Sequence, residues 1–419
     1  MNYAKKKLAI LSVSDKKNID KLARELIKNN YIILSTGGTA KYLTSKKIEN
    51  ISISKFTGFE EILDGRVKTL HPKIHAGILA KDQSSIADLK NEKYSLIDMV
   101  VVNLYPFEQT ISKKNCTFED AIENIDIGGP TMLRAAAKNF QRVTVITEPE
   151  DYTRVIKQLE RNGETSSATR IELAKKVFNK ISHYDSKIFN YLNKKIKNSD
   201  SIFPNTLNLK LNKKNELRYG ENPHQNAAIY DIENYPSSGF DYKQLAGKEL
   251  SYNNLVDTES AVSCVKQFKK AACVIVKHAN PCGVSINKNH LTSYKSALAC
   301  DPISAFGGIV SCNFKIDKNL ASELNKLFLE VVIGNGFEKD ALKILKKKKN
   351  LRLIDATNYS FKEKLRFISS NEELLLQTED LKKFSNKDFS IVSKRKPTSK
   401  QMRNLIFAFN ICRYAKSNA

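Results

Sequence analysis

Apolar and polar residues follow one another in short blocks over the first 150 residues, and the blocks predict strands separated by amphipathic helices. β-branched apolar runs are typical of buried strands, while apolar residues three or four apart indicate helices. The predicted strands are residues 8–13, 31–34, 99–104 and 143–147, and the predicted helices are residues 17–29, a helix from residue 39, residues 130–138 and residues 171–192. This alternation predicts an α/β domain on a parallel sheet.

The apolar periodicity is lost around residues 195–212, where a polar run is followed by Pro204 and Asn205. Such a stretch is typical of a linker. We expect a first domain over residues 1–195, a linker over 196–212 and a second α/β domain over 213–419, in which residues 320–330 form a helix. No period of about 20–50 residues repeats, which argues against a solenoid.

One strand pattern in the second domain runs directly into two titratable side chains. Residues 274–276 are β-branched and apolar, so they predict a strand covered on both faces, which Asn280-Pro281 should end. Lys277 and His278 then stand at the carboxyl end of the strand, where ligands collect in α/β sheets. A histidine beside a cation can serve as a base. The alternative is a capping histidine next to a solvated lysine.

Composition and charge narrow the class of protein. The chain has 419 residues, enough for two or three domains, and a formal net charge of +24 from 69 Lys and Arg against 45 Asp and Glu. The basic residues are spread along the whole chain, so a general lysine bias or an anionic small substrate explains them better than a nucleic-acid module. With no apolar run of 18 residues and no secretory leader, we expect a cytosolic protein.

The seven cysteines form no C-x-x-C pair and include an odd one, which argues against a disulfide framework or a zinc knuckle. His71 and His75 have the i, i+4 spacing of a metal pair, but Pro72 interferes with a helix and no third ligand stands nearby. We therefore expect no metal.

Residues 35–39, Ser-Thr-Gly-Gly-Thr, follow a predicted strand and open a helix. Free backbone amides, hydroxyl groups and the positive end of a helix dipole then meet at one place, which favours an anion site. A tight turn with an N-cap is the alternative. Lys16 after the first strand, and Arg66 and Lys68 with their alternating positions, could converge there on a phosphate.

Further polar clusters stand at predicted strand ends and turns. Tyr105 follows a buried strand, Asp126 precedes a double glycine and a helix, and Lys138 lies about two turns into that helix. In the second domain the loops 218–225, 251–254 and 301–308 are rich in hydrogen-bonding groups or carry an aromatic residue beside glycines. Each of these loops could bind a ligand or could simply form a packed turn.

In their joint order these motifs resemble one family, the bifunctional purine-biosynthesis proteins in which a cyclohydrolase domain precedes a transformylase domain. The resemblance spans essentially the whole chain, and its motifs are residues 12–16, 35–39, 64–72, 126–130, 218–225 and 277–283. It implies a methylglyoxal-synthase-like parallel-sheet domain followed by a cytidine-deaminase-like α/β domain that is incomplete at its carboxyl terminus.

The resemblance also implies the reactions. The second domain would formylate aminoimidazole carboxamide ribotide (AICAR) from 10-formyltetrahydrofolate, and the first would close the formylated product (FAICAR) to inosine monophosphate (IMP). Both substrates are small ribotides; the folate is a co-substrate, and no tightly bound cofactor or metal is implied. A cytosolic homodimer is expected, with no membrane and no nucleic acid as partner.

Site residues follow from the same resemblance. The implied proton-handling and oxyanion groups of ring closure are Lys68, Tyr105, Asp126 and Lys138. The implied groups of formyl transfer are Lys277, which keeps the imidazole neutral, His278 as the base, and Asn418, which orients the formyl group. The implied substrate contacts are Ser12, Ser14, Lys16, Ser35, Thr36, Gly37, Gly38, Thr39, Arg66, Thr69, Asn103, Gly128 and Gly129 in the first domain, and Arg218, Tyr219, Asn253, Phe306, Gly307 and Glu330 in the second.

The sequence departs from the family at its end. Members of the family match through residues 416–419 and then continue for on the order of a hundred residues, the size of a further subdomain. We therefore expect an intact cyclohydrolase site, an incomplete transformylase site, and exposed apolar residues between positions 374 and 412. The rival readings are a basic binding protein for nucleic acid or an acidic partner, and a methylglyoxal-forming lyase, which leaves residues 218–418 unexplained.

Overall fold

The computed structural model describes residues 6–63, 65–92, 94–195, 203–233, 242–359 and 365–416. They belong to two compact units, Met1–Asn208 and Leu209–Ala419. The domain borders expected near residues 195 and 212 stay a prediction. Within the described ranges, no helix is both long enough and apolar enough to cross a membrane.

The first unit alternates strands with helices, as its sequence predicts. Its strands are β1 Lys7–Val13, β2 Tyr31–Ser35, β3 Ile51–Ser52, β4 Met99–Asn103 and β5 Thr144–Ile146. Its helices are α1 Ile19–Lys28, α2 Gly37–Ser45, α3 Ile53–Thr57, α4 Pro72–Leu79, α5 Gln83–Asn91, α6 Phe107–Ile111, α7 Phe118–Glu123, α8 Gly128–Lys138, α9 Tyr152–Asn162 and α10 Ser167–Lys195, with a 3-10 turn at Pro149–Asp151.

The sheet of the first unit is parallel throughout, in the order β3-β2-β1-β4-β5. Its central strands are almost completely buried, because apolar β-branched residues on both faces are covered by helices. The expected parallel α/β domain is confirmed. The chain moves outward from β1 in two directions, to β2 on one side and β4 on the other, so a crevice opens at the carboxyl end of β1.

The second unit contains the remaining elements. Its strands are β6 Leu211–Leu217, β7 Ala227–Ile232, β8 Lys243–Ala246, β9 Ala272–Lys277, β10 Asn280–Ile286, β11 Ile309–Cys312, β12 Val331–Gly334, β13 Arg352–Asp355, β14 Leu365–Ser370 and β15 Glu373–Thr378. Its helices are α11 Tyr252–Lys266, α12 His290–Leu298, α13 Lys318–Leu324, α14 Lys339–Leu345 and α15 Ser399–Cys412, with a 3-10 turn at Asn386–Asp388.

A six-stranded mixed sheet, in the order β10-β9-β11-β12-β13-β8, forms the core of the second unit. The strand predicted at residues 274–276 is confirmed as part of β9, which is buried from Ala272 to Val276. Two-stranded hairpins, β6-β7 and β14-β15, form separate small sheets.

Two sequence predictions in this unit are wrong in their boundaries. Asn280 and Pro281 do not end the ordered segment but begin β10; Pro281 is tolerated because β10 is an edge strand with a register shift between Pro281 and Gly283. The helix predicted over 320–330 ends at Leu324. Beyond it the backbone leaves the helix, since the Phe328 carbonyl accepts from the Gly307 amide at 2.9 Å.

Apolar side chains are exposed toward the end of the chain, as expected. Leu374, Leu375, Leu405 and Phe409 are between 47% and 58% exposed, whereas Ile406 and Phe407 are half-buried. The first two lie on β15 and the second two on α15.

The glycines of α2 and α4 provide a test of packing in the first unit. A Cβ on Gly77 would lie 2.5 Å from the Ser95 carbonyl oxygen, whereas a Cβ on Gly38 would meet nothing within 4 Å. We expect Gly77→Ala to lower the free energy of unfolding by about 1–3 kcal/mol, because backbone must move. Gly38→Ala, the matched control, should be neutral or slightly stabilising, because alanine favours a helix. Urea unfolding measures both, and equal effects would contradict this packing.

Candidate active sites

The amino end of α2 forms a place for an anion at the crevice beside β1. Thr36 is the N-cap, but its side chain does not cap the helix; its Oγ1 lies 2.8 Å from Ser12 Oγ. Gly37 and Gly38 are exposed, and the first amides of a helix have no acceptor within it. Gly37 has a φ of +24°, which disfavours a side chain. The turn therefore offers free amides and the positive end of a helix dipole.

The loop after β1 is held by a single side chain. Asn103, at the end of β4, accepts with its Oδ1 from Ser14 N at 2.6 Å, Ser14 Oγ at 2.9 Å and Asp15 N at 2.9 Å. Lys16 donates back to the Val13 carbonyl, and its burial lowers the pKa of its ammonium, against the charge of Asp15. The predicted contacts Ser12, Ser14, Lys16 and Asn103 thus lie at one sheet edge.

Two of the predicted hydroxyl contacts have other partners. Ser35 is completely buried and its Oγ donates to Asn50 Oδ1 at 2.6 Å. Thr39 Oγ1 donates to the Val13 carbonyl at 3.1 Å and accepts from the Val13 amide at 3.0 Å. Both hydroxyls therefore hold the turn together, and the roles of Ser35 and Thr39 as substrate contacts stay predictions. The amide of Thr39 remains at the helix start.

The segment containing Lys68 and Thr69 joins the two glycine turns of the first unit. Lys68 Nζ would lie only 3.1 Å from a Cβ on Gly37, so the ammonium stands beside the start of α2, where it is paired with Glu61. The next residue, Thr69, is buried, and its Oγ1 would lie 2.5 Å from a Cβ on Gly128. One two-residue segment therefore reaches the amino end of α2 with one side chain and the amino end of α8 with the other.

Asp126 is the carboxylate at this second turn. Its Oδ1 accepts from the Gly129 amide at 2.8 Å, and its own amide donates to the hydroxyl of Tyr184 on α10 at 2.7 Å. Burial raises the pKa of Asp126, and hydrogen bonds from the Gly129 and Tyr105 backbones partly oppose that rise. Burial is also the main reason that the pKa of Tyr184 is raised to about 12. A carboxyl group with a raised pKa is suited to moving protons near neutral pH.

Lys138 and Arg66 are the other predicted residues of this unit. α8 begins at Gly128, two residues earlier than predicted, and ends as predicted at Lys138, which is exposed and roughly 15 Å along the axis from Gly128. The structure therefore does not place Lys138 near the Asp126 turn, and its catalytic role stays a prediction. Arg66 is exposed and paired with Glu123 on α7.

The candidate site of the second unit is built on a tight hairpin. Lys277 pairs with Asn280 in register, so only His278 and Ala279 connect β9 to β10. Both have positive φ, 53° and 58°, as a type I′ turn requires. Neither is a glycine, and the left-handed conformation costs an L-residue roughly 1–2 kcal/mol. Strain of this kind, at two residues already singled out for their chemistry, is typical of a functional site.

Side chains from three elements surround this turn. Asp257 of α11 accepts from the Ala279 amide at 2.7 Å, and Asn280 Nδ2 donates to the His278 carbonyl at 3.1 Å. Lys277 Nζ donates to the Phe306 carbonyl at 2.7 Å, which brings in the glycine-containing loop before β11. The His278 side chain is exposed and Lys277 is half-buried. Burial raises the pKa of Asp257, against its backbone hydrogen bonds.

The same helix holds the loop predicted to bind the ribotide. Asn253, one turn before Asp257 on α11, donates to the Glu221 carbonyl at 3.1 Å. Glu221 belongs to the loop between β6 and β7, which also carries Arg218, stacked over the Tyr219 ring at 5.7 Å. One face of α11 therefore contacts both this loop and the His278 turn.

The other predicted residues of this unit are placed as follows. Phe306 is exposed and lies 5.2 Å from Phe328 between ring centres, and Gly307 has a φ of +71°. Glu330 is paired with Arg352, so its carboxylate already has a cation. Asn418 lies outside the described residues; Lys416, two positions earlier, donates its amide to Asn280 Oδ1 at 2.6 Å.

Sequence reasoning missed three residues that build these sites, namely Asn50 behind Ser35, Tyr184 behind Asp126, and Asp257 behind His278. Only Asp257 had a signal in the sequence, since it follows Asn253 by four residues on a predictable helix. The other two come from distant segments, and only the tertiary fold brings them into contact.

Two glycine turns with helix amides, a nearby lysine and a half-buried carboxyl group are typical of an enzyme acting on a small phosphorylated substrate. Comparison with known families agrees. Residues 18–131 match the MGS-like domain, and residues 136–419 match the AICARFT/IMPCHase bienzyme family. The chain belongs to this family of bifunctional purine-biosynthesis enzymes, and the fold class expected from the sequence is confirmed.

Its relatives are full-length bifunctional proteins. The bifunctional purine biosynthesis protein PurH of Caldicellulosiruptor saccharolyticus is 49% identical over 99% of this chain and 81% of its own length. PurH of Acetivibrio thermocellus is 46% identical over 98% and 81%, and PurH of Bacillus cereus is 45% identical over 99% and 81%. A solved chain, "Crystal structure of ForH", is 35% identical over 44% of this chain and 97% of its own, with a TM-score of 0.40.

The family fixes the reactions. They are the last two steps of IMP synthesis, in which AICAR formyltransferase uses 10-formyltetrahydrofolate as co-substrate and IMP cyclohydrolase closes the ring. The activities and the co-substrate expected from the sequence are thereby confirmed. The chain spans 81% of the length of these relatives.

With Asp126 as the proton-handling group that the family resemblance implies, its raised pKa predicts a pH dependence of ring closure. Protonation removes a carboxylate base, and a raised pKa means that this happens at a higher pH than the value of about 3.9 for an exposed aspartate. As the pH is lowered, the rate of FAICAR closure should therefore begin to fall at a pH above the range in which aspartates usually titrate. Asp126→Asn should lower the rate by about 10²–10⁴-fold and abolish this acid limb.

Asp120→Asn is the matched control, because Asp120 is an exposed carboxylate of the same unit that caps α7. This variant should keep both the rate and the acid limb. An unchanged acid limb in Asp126→Asn would show that another group titrates.

Proposed function

We propose that the first unit of this chain carries the whole cyclohydrolase site, at the edge of the sheet where β1, β2 and β4 end. The observation that supports this most directly is the two-residue segment Lys68-Thr69, which joins the anion-binding start of α2 to the turn of Asp126. A ribotide extends from its phosphate to its base, so a phosphate cradle and an acid–base group are needed a short distance apart.

In this proposal the phosphate of FAICAR is held by the amides of Gly37, Gly38 and Thr39, together with the Thr36 and Ser14 hydroxyl groups and Lys16. Helix amides and a cation suit a dianion, and they fix one end of the substrate. Positioning the amide nitrogen against the formyl carbon of the same molecule is a large part of the catalysis.

Ring closure then needs proton transfers at the other end of the substrate. The carboxamide nitrogen attacks the formyl carbon and loses a proton, the formyl oxygen becomes a hydroxyl, and water leaves as the C=N bond forms. Asp126 takes the proton from nitrogen, Lys68 stabilises the developing oxyanion, and Tyr105 assists proton transfer. Lys138 joins this group only if its side chain approaches from the far end of α8. Substrate must compete with Glu61 for Lys68.

For the second unit we propose that the exposed imidazole of His278 removes a proton from the amine of AICAR while that amine attacks the formyl carbon of 10-formyltetrahydrofolate. Arg218 and Tyr219 bind the ribotide, and Lys277 assists departure of the folate nitrogen. Lys277 donates a hydrogen bond to the Phe306 carbonyl, and this contact places the loop of Phe306 and Gly307 beside the same turn. Asn418 keeps its proposed part in orienting the formyl group.

The location and assembly of the protein are also proposals. We propose a cytosolic location, on the ground that the substrates are soluble ribotides and folate, and a homodimer, which the family resemblance implies. Sedimentation velocity at micromolar concentration tests the assembly, and a monomer would contradict it.

Two substitutions separate the proposed sites. Lys68→Met should lower the rate of FAICAR closure by about 10²–10³-fold, the size expected when an oxyanion-stabilising group is removed, and should leave formyl transfer unchanged. His278→Gln should lower formyl transfer by about 10²–10⁴-fold and leave FAICAR closure unchanged. Ultraviolet absorbance follows both reactions, with FAICAR supplied alone, or AICAR supplied with 10-formyltetrahydrofolate.

The matched controls are Lys157→Met, an exposed lysine of α9, and His290→Gln, a histidine that stacks on Phe314 in the second unit. Both controls should keep both rates. Loss of FAICAR closure in His278→Gln, or its survival in Lys68→Met, would contradict the assignment of one reaction to each unit.

A further inference from the structure

The backbone of the His278 turn is unfavourable on its own. Both residues between β9 and β10 are in the left-handed region, and both carry a Cβ. A two-residue hairpin of this kind normally contains glycine or asparagine. The conformation must therefore be stabilised by contacts outside the hairpin.

Asp257 provides the main contact of this kind. Its carboxylate accepts from the Ala279 amide at 2.7 Å, and the nearby His278 amide is one of the groups that partly oppose the rise in its pKa, so one side chain holds the backbone of the turn. On the other side, Asn280 Nδ2 donates to the His278 carbonyl at 3.1 Å. Ala279 is 2% exposed, whereas the His278 side chain is exposed. The backbone of the base is fixed while its imidazole remains accessible.

We propose that Asp257 is a positioning residue for formyl transfer, whose carboxylate holds residues 278 and 279 in the left-handed turn and so fixes the place of the His278 imidazole. The inference depends on the proposed role of His278 as the base. Asp257 itself lies under the turn and does not touch the reacting atoms.

The position of Asp257 on α11 also connects the His278 turn with the loop of Arg218 and Tyr219. Asn253 is one helical turn earlier and holds the loop of Arg218 and Tyr219 through the Glu221 carbonyl. Residues four apart on a helix lie on one face, so a rigid segment of α11 sets the separation between the ribotide-binding loop and the base. Loss of either contact would change that separation.

The test compares Asp257→Ala, Asp257→Asn and the double variant Asp257→Ala/Ala279→Gly in the formyl transfer assay. Asp257→Ala should lower kcat by about 100-fold with the KM for AICAR nearly unchanged, because a base displaced by about an ångström loses that much. Asp257→Asn keeps one acceptor oxygen and should lose less. Glycine at 279 adopts the left-handed turn without a steric cost, so the double variant should recover part of kcat.

Asp317→Ala is the matched control, since Asp317 is also a carboxylate that accepts a backbone amide in this unit, at the start of α13. It should lower stability by a similar amount and leave kcat unchanged. The proposal is overturned if Asp257→Ala keeps its kcat, if only KM changes, or if Ala279→Gly recovers nothing.

A second measurement separates failure of this proposal from failure of the proposed function. Amide hydrogen exchange, followed by mass spectrometry on peptides that contain residues 278 and 279, reports on the turn without any turnover. Asp257→Ala should speed this exchange on the order of tenfold or more, the effect of losing a charge-assisted hydrogen bond. Unchanged exchange overturns the holding role of Asp257. Faster exchange, with His278→Gln as active in formyl transfer as the wild-type chain, supports that role and counts against His278 as the base.

Discussion

The proposed cyclohydrolase site depends on one constraint, the parallel direction of β1 and its two neighbours. Because β2 and β4 flank β1 and run the same way, the residues after all three strands meet at one edge of the sheet. Asn103 uses this proximity, since its amide oxygen at the end of β4 fixes the loop after β1. The start of α2 faces the same crevice and presents its free backbone amides there. Lys68 and Asp126 add ionisable side chains to this site.

Much of this arrangement could be predicted from sequence, because the signals are local. β1, β2 and β4 are β-branched runs that only a buried sheet accommodates, and their observed bounds differ by one residue from those predicted. Glycines mark the turns that need free backbone. What could not be predicted depends on tertiary contacts: Pro281 entered a strand because β10 is at an edge, and residues after Leu324 left the helix to bond with the Gly307 loop.

The two sites hold their reactive groups in different ways. In the first unit the proposed binding groups are backbone amides. The hydroxyl groups of Ser35 and Thr39 instead make internal hydrogen bonds that stabilise the turn. In the second unit the reactive imidazole stands on a strained turn, and neighbouring side chains maintain the strain. Asp257 had only a weak signal in the sequence, its spacing of four residues from Asn253, because an aspartate on a helix has many ordinary uses.

The adjacent glycines 37 and 38 differ in how readily they can be replaced by another residue. Position 37 disfavours a side chain because its φ is +24°, and a Cβ there would also lie 3.1 Å from the ammonium of Lys68. A small shift of the flexible Lys68 side chain would remove the second restriction and leave the first, so the backbone conformation is what favours glycine at this position. Position 38 has neither restriction, and among distant descendants of this chain it is the glycine of the pair that has the freedom to vary.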